Sequence, residues 1–165
     1  MRLIIHDLND EEFAALDIAN TDAKIFAAGK FAHCQGCFKC WVKTPGTCVI
    51  NDGLKHMGAF IGKSNEMLII SKNCYGGYSE PVKRALDRGI SALLPFFTWR
   101  DRMIHHIRRY KSTKEYLTVM LYGDFTDLER ETAEGIVERN RSNFGYKEAR
   151  LVTLEKPGDL KGLVK

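Results

Sequence analysis

Apolar residues fall in two kinds of run along this chain. Five short, nearly continuous runs read as buried strands: Arg2–His6 (RLIIH), Ala23–Ala28 (AKIFAA), Met67–Ser71 (MLIIS), Tyr116–Tyr122 (YLTVMLY) and Ala149–Leu154 (ARLVTL). Between them, apolar residues recur at helical spacing. Phe13, Leu16 and Ile18 predict a helix over Asp10–Ile18, capped by Asp7 or Asn9. Leu54, Met57, Phe60 and Ile61 predict another over Asp52–Ser64. Ser79-Glu-Pro81 opens a third, which runs to Leu94 with Val82, Leu86, Ile90 and Leu93 facing inward and which Pro95 breaks. Thr126-Asp-Leu-Glu129 is a capping box for a helix to Asn143, with Gly145 suited to its end. Phe96–Thr113 is atypical, both aromatic and basic.

Strands and helices alternate five times with short connections. That order predicts an α/β, doubly wound, five-stranded parallel sheet with helices on both faces. It forms one domain over 1–154, followed by a loose basic tail over 155–165. In such sheets ligands bind beyond the carboxyl ends of the strands, so His6–Asn9, Gly29–Cys40, Lys72–Tyr78 and Gly123–Thr126 are the candidate loops.

The 165 residues suffice for one sizeable core, and the net charge of +4 is mild. The charge is unevenly spread. Asp7, Asp10, Glu11, Glu12 and Asp17 make an acidic start, and Arg100, Arg102, Arg108, Arg109, Lys111 and Lys114 a basic middle. That basic arm reads as packing on the acidic start or on a second subunit, or as gripping a phosphate or carboxylate through His105, His106, Arg108, Arg109 and Tyr110. Its adjacent His105 and His106 diverge too far to share a metal. No base-reading motif accompanies the basic residues, so nucleic acid is not an expected partner. No apolar run spans a bilayer and no signal peptide is visible, which with an odd cysteine count predicts a cytoplasmic protein without a membrane partner.

Four of the five cysteines, Cys34, Cys37, Cys40 and Cys48, stand in a C-x2-C-x2-C-x7-C pattern. Four thiolates suit an iron–sulfur cluster or tetrahedral zinc, and the same residues can be reduced thiols without a metal. Cys74 lies outside the spacing. In Lys72-Asn-Cys-Tyr-Gly-Gly-Tyr78 the glycines let the backbone approach a flat ring, and Tyr75 or Tyr78 can stack on it. Gly123-Asp124 borders the same crevice, or is a plain turn leading to the Thr126 cap.

The run Cys34–Asp52 (CQGCFKCWVKTPGTCVIND), with Met67–Arg88 and its Tyr75-Gly76-Gly77 and Lys83-Arg84-Ala85-Leu86-Asp87-Arg88, resembles the flavodoxin-like NADPH-dependent FMN reductases and iron–sulfur flavoproteins. The resemblance covers residues 30–145. It implies a flavodoxin-like fold, a homodimer, FMN, and NAD(P)H as co-substrate. For FMN it points to Ser71, Asn73, Tyr75, Gly76, Gly77, Tyr78, Gly123 and Asp124. It also implies, as in some members, a [4Fe-4S] cluster on Cys34, Cys37, Cys40 and Cys48. The implied function is electron transfer between a reduced nicotinamide or other carrier and an acceptor, which can be a partner protein; no catalytic residue is assigned. One stretch departs from the family. After the first strand it expects a Gly/Ser/Thr-rich phosphate loop, and this chain has His6-Asp7-Leu8-Asn9-Asp10-Glu11-Glu12. The alternative is therefore a degenerate domain without FMN, acting as a binding or assembly module with or without a structural metal.

Overall fold

The structure, a computed structural model, describes residues 1–164. Its main sheet holds β1 (Arg2–His6), β2 (Ala23–Phe26), β3 (Glu66–Lys72), β6 (Tyr116–Tyr122) and β7 (Glu148–Leu154). The order is β2-β1-β3-β6-β7, and every neighbouring pair is parallel. This is the doubly wound order of a flavodoxin-like fold, with its switch point between β1 and β3.

Side-chain alternation along the central strands sets the two layers. Leu3, Ile5, Met67, Ile69, Leu117 and Val119 face one side and pack under α3 (Met57–Lys63), α4 (Glu80–Arg88) and α5 (Asp127–Phe144). Ile4, Leu68, Ile70 and Met120 face the other side, where α1 (Asp10–Ala14) covers only part of the surface. The chain end covers the rest: Leu160 and Val164 are buried against this face. The expected loose tail is thus docked through residue 164, because α1 has too few residues to seal the face alone. Lys165 lies outside the described residues.

The capping boxes at Asn9/Glu12 and Thr126/Glu129 both form, and Gly145 closes α5 in the left-handed region. Four expectations change. The first helix ends at Ala14, short of Ile18. The second helix begins at Met57 rather than Asp52, because the Asp52 carboxylate accepts the Leu54 N–H and starts a turn instead. The third ends at Arg88, and Gly89 leads into a single 3-10 turn over Ile90–Ala92. Pro95 therefore breaks no helix; it stands in β4 (Leu93–Arg100) at a register irregularity, where its missing N–H costs no ladder bond. β4 pairs antiparallel with β5 (Met103–Arg108), so the aromatic, basic segment is a β-hairpin. Asp101 and Arg102 form its two-residue turn with φ of 53° and 60°. No glycine marks that turn, which hides it in the sequence.

The hairpin does not lie on the acidic start: among the described residues no ion pair joins Arg100–Lys114 to Asp7–Asp17. No helix is long and apolar enough to cross a membrane among the same residues.

His6 ends β1 almost fully buried, stacked on Phe13 at 3.8 Å between ring centroids, with Nδ1 lacking a partner. Burial lowers its pKa from 6.5 to about 4. The unfolded chain therefore takes up the proton first. Stability should fall as pH drops from 6.5 towards 4, by at most about 3 kcal/mol from this residue. The slope of denaturation free energy against pH should flatten across that window in His6→Phe.

Candidate functional site

The site is built on one face of α4. Arg84 and Arg88 stand four residues apart and point outward along the same side of the helix. Arg88 has a fully buried side chain and binds Asp52 through two parallel N–H···O bonds of 2.8 and 2.9 Å. It also donates to Ala32 O and Ile50 O. Arg84 donates to the carbonyls of Ala27, Gly29 and Phe31. Burial works to raise the Asp52 pKa, but Arg88 and the N–H groups of Ala32 and Leu54 outweigh it and hold the carboxyl low. The carboxylate is thus charged, and the segment from Ala27 to Asp52 is fastened to α4 at both ends.

The cysteine loop hangs between these fastenings. Its one helical turn is α2 (Lys39–Val42), entered through Phe38 at φ 52°. Trp41 Nε1 donates to Ile90 O at 3.3 Å. A chain of ring contacts, Phe38–Trp41–His106–Phe97, then ties the loop to the hairpin, with centroid separations of 4.9, 5.2 and 4.6 Å. His106 fixes its ring by donating Nδ1–H to Leu94 O, and His105 turns the other way, to Asn143 and Ser142 on α5. The two imidazoles diverge, as neighbouring strand residues must.

Cysteine loop, α4, hairpin and α5 enclose a cavity of about 1060 Å³. Cys34, Cys37, Cys40, Cys48 and Cys74 all line it. Cys74 joins the other four only in space, because the loop after β3 folds back through its bridge to Gly77. Burial, then the neighbouring Cys48, Cys34 and Cys37, push the Cys40 thiol up, so it is held protonated. All five cysteines are unpaired. Among the described residues no three His, Cys, Asp or Glu side chains stand close enough to share a metal. The donor set suits iron or zinc, while the present side-chain spacing does not.

The residues predicted for FMN separate into two groups. Tyr75, Gly77 and Tyr78 line the cavity. Tyr75 is 85% exposed at the mouth with φ 54°, whereas the Tyr78 hydroxyl accepts from Asn140 and burial pushes its pKa up to about 12. Ser71, Asn73, Gly76, Gly123 and Asp124 line no part of it; they join loops. Ser71 Oγ bonds Ser79, Asn73 Nδ2 donates to Asp124 O at 2.6 Å, Asn73 Oδ1 accepts from Gly76 N, and Gly123 N donates to Leu154 O. The hairpin and α5 residues of the wall, Phe97, Ile104, Ile136 and Asn140 among them, had no motif to mark them; the alternating apolar residues of Phe96–Arg100 were the one available sign.

The switch point itself is closed by Asp7. Its carboxylate accepts the Lys72 N–H at 3.0 Å and the Tyr122 hydroxyl at 3.0 Å, bridging β1, β3 and β6. Burial first, then Asp7, raises the Tyr122 pKa, which keeps that hydroxyl a donor. Just beyond, the α1 N-terminus satisfies itself: Glu12 N–H bonds Asn9 Oδ1 and Asn9 N–H bonds Glu12 Oε2. Asp10, Glu11 and Glu12 surround it. An FMN phosphate does not fit at this end of β1, where its donors are taken and the charge is of its own sign.

No family model matches the chain, and no curated protein matches it. Nine solved chains do. One is an FMN-dependent NADH-azoreductase from Bacillus anthracis str. Ames Ancestor, in complex with FMN. It is 12% identical, with 96% of this chain and 91% of that one covered, at a TM-score of 0.55. At that identity the likeness shows the flavodoxin-like fold.

The clamp predicts a measurable coupling between stability and thiol exposure. Arg88→Ala leaves Asp52 half-buried and unpaired and should cost about 3–5 kcal/mol in denaturant unfolding. Cys40 should then react faster with a disulfide reagent in the native state. Asp52→Leu combined with Arg88→Met should recover part of the stability, since no uncompensated charge remains.

Proposed function

We propose that the chain is a flavodoxin-like redox protein whose reacting centre is the thiol-lined cavity, exchanging electrons between a reduced nicotinamide or other carrier and an acceptor. The observation that carries this reading is the convergence of all five cysteines on one cavity beside the loop after β3. The fold likeness to an FMN-dependent NADH-azoreductase supports it. Tyr75 and Gly77 at the cavity mouth are compatible with a flavin ring, and the β1 end is not compatible with its phosphate. No step is therefore assigned to FMN. Cys34, Cys37, Cys40 and Cys48 are the thiols that would hold a [4Fe-4S] cluster if the loop closed from its present spacing, and such a cluster would supply one-electron transfer. A bound cation would favour the Cys40 thiolate that burial now opposes. Phe96, Trp99 and Ile104, all more than 60% exposed on the hairpin, support a homodimer or an electron-transfer partner.

A second reading, a domain that binds or assembles without a flavin, is favoured by one observation: Asp7 and the Asn9–Glu12 box occupy the switch point with the chain's own groups. Visible absorbance separates the two. Protein purified without air should show flavin bands or a broad iron–sulfur shoulder, or gain them on reconstitution with FMN or with iron and sulfide. Cys37→Ser should lose the shoulder and keep any flavin bands. Protein that stays colourless through both reconstitutions would leave the assembly reading standing.

A further inference from the structure

A second cavity, of about 680 Å³, lies on the far side of the hairpin. It is walled by the hairpin, the segment 110–114, and the turn that leads into β7. These segments precede β6 and β7, so the cavity sits at the amino-terminal edge of the sheet, opposite the switch point. Five of its wall residues are cationic, Arg100, Arg108, Lys111, Lys114 and Lys147, and no carboxylate lines it.

Part of this charge serves the fold. Arg100 donates to Ser142 O at the α5 C-terminus, and buried Lys114 donates to Ile61 O and Ser64 O at the α3 C-terminus. Such helix ends attract cations. Lys147 is paired with Glu115 at 2.9 Å, and Arg100 lies 3.9 Å from Asp101. That leaves Arg108 and Lys111, which end no helix and, like Lys114, form no ion pair among the described residues. Arg108 gives one N–H to Ser112 O, which fixes the guanidinium in place. The rest of its fork is unbonded. Gly145 lets it approach Arg100: a Cβ there would stand 3.1 Å from Arg108 Cδ and 3.5 Å from Arg100 Nη1. Arg100 Nε is buried without a hydrogen-bond partner. The Arg108 charge also acts on Lys114, which burial first and then that charge bring down to about 7. Like charges are thus held together around a concave space with no counter-charge of the chain's own inside it.

We propose that this cavity binds a phosphate-bearing anion, held by the Arg108 guanidinium and the Lys111 ammonium with Arg100 behind them. A guanidinium fork matches two phosphate oxygens, and a mobile lysine supplies a third contact. The site is separate from the thiol cavity, and its occupancy does not depend on the redox reading. The ligand class is a phosphorylated small molecule, since the cations gather around one space of about 680 Å³, open to solvent, instead of running in a line along the surface.

Inorganic pyrophosphate titrated into the full chain at low salt, by calorimetry, tests this. Saturable one-to-one binding is expected. Lys111→Gln should weaken it on the order of tenfold, as the loss of one charge-assisted contact does, and Arg108→Gln by at least as much. Lys111 is exposed and unbonded, so its replacement leaves the fold intact even where Arg108→Gln disturbs the Ser112 carbonyl. Lys24→Gln, on the exposed face of β2, should bind like the parent. No saturable binding, unchanged binding by Lys111→Gln, or equal weakening by Lys24→Gln would overturn the proposal. So would a short single-stranded oligonucleotide that binds far more tightly than pyrophosphate, which would make the face a nucleic-acid surface.

Discussion

The contact between Arg88 and Asp52 is the one on which the rest of the site depends. A fully buried guanidinium needs its charge compensated and its donors engaged; Asp52 supplies the charge and, with the Ala32 and Ile50 carbonyls, takes the terminal N–H groups, while Nε is left without a partner. In return, the long connection between β2 and α3 acquires a fixed path. That connection contains a single helical turn, so its backbone carbonyls need donors from outside. Arg84 and Arg88 serve five of them. Every cysteine of the C-x2-C-x2-C-x7-C run lies inside the segment so fastened.

The same fold thus presents its thiol-lined cavity away from the place where doubly wound sheets usually hold ligands. At the switch point, Asp7 bonds Lys72 and Tyr122, and the α1 terminus caps itself. What opens instead is a cavity on the outer side of α4 and α5. Two long connections create it, the cysteine loop before α3 and the hairpin after α4. Both connections emerge on the same face of the sheet, so they meet, and Phe38, Trp41, His106 and Phe97 form the seam between them.

The hairpin separates two chemically unlike spaces. Successive residues of a strand point to opposite sides. Phe97 accordingly faces the thiol cavity, and Thr98 and Arg100 the basic one. A two-stranded ribbon alone is marginal in water. This one is held by His105 against α5, by His106 against Trp41, and by Arg100 on the end of α5. Of its apolar residues, Phe96, Trp99 and Ile104 are left exposed.

Local rules determined the sheet and much of the motif placement. Short, continuous apolar runs bounded by turn residues suit strands buried on both faces, as β1, β3 and β6 are, and Thr126/Glu129 with Gly145 mark the two ends of α5 by hydrogen bonds made within a few residues. The resemblance carried by Cys34–Asp52 and Lys83–Arg88 likewise pointed to the right fold. What the sequence left open depends on partners distant along the chain. Pro95 looked like a helix breaker because nothing local shows that Phe97 and Thr98 pair with His106 and His105. Cys74 looked solitary because its nearness to the other thiols exists only once β3 has delivered its loop beside the cysteine segment. Arg108 was legible as an anion-gripping candidate beside Arg109 and Tyr110, but Lys111 was one charge in a basic run. Folding alone sets them in one hollow with Arg100 and Lys147, since hydrogen-bonded registers and buried ion pairs, not neighbouring residues, decide where such side chains meet.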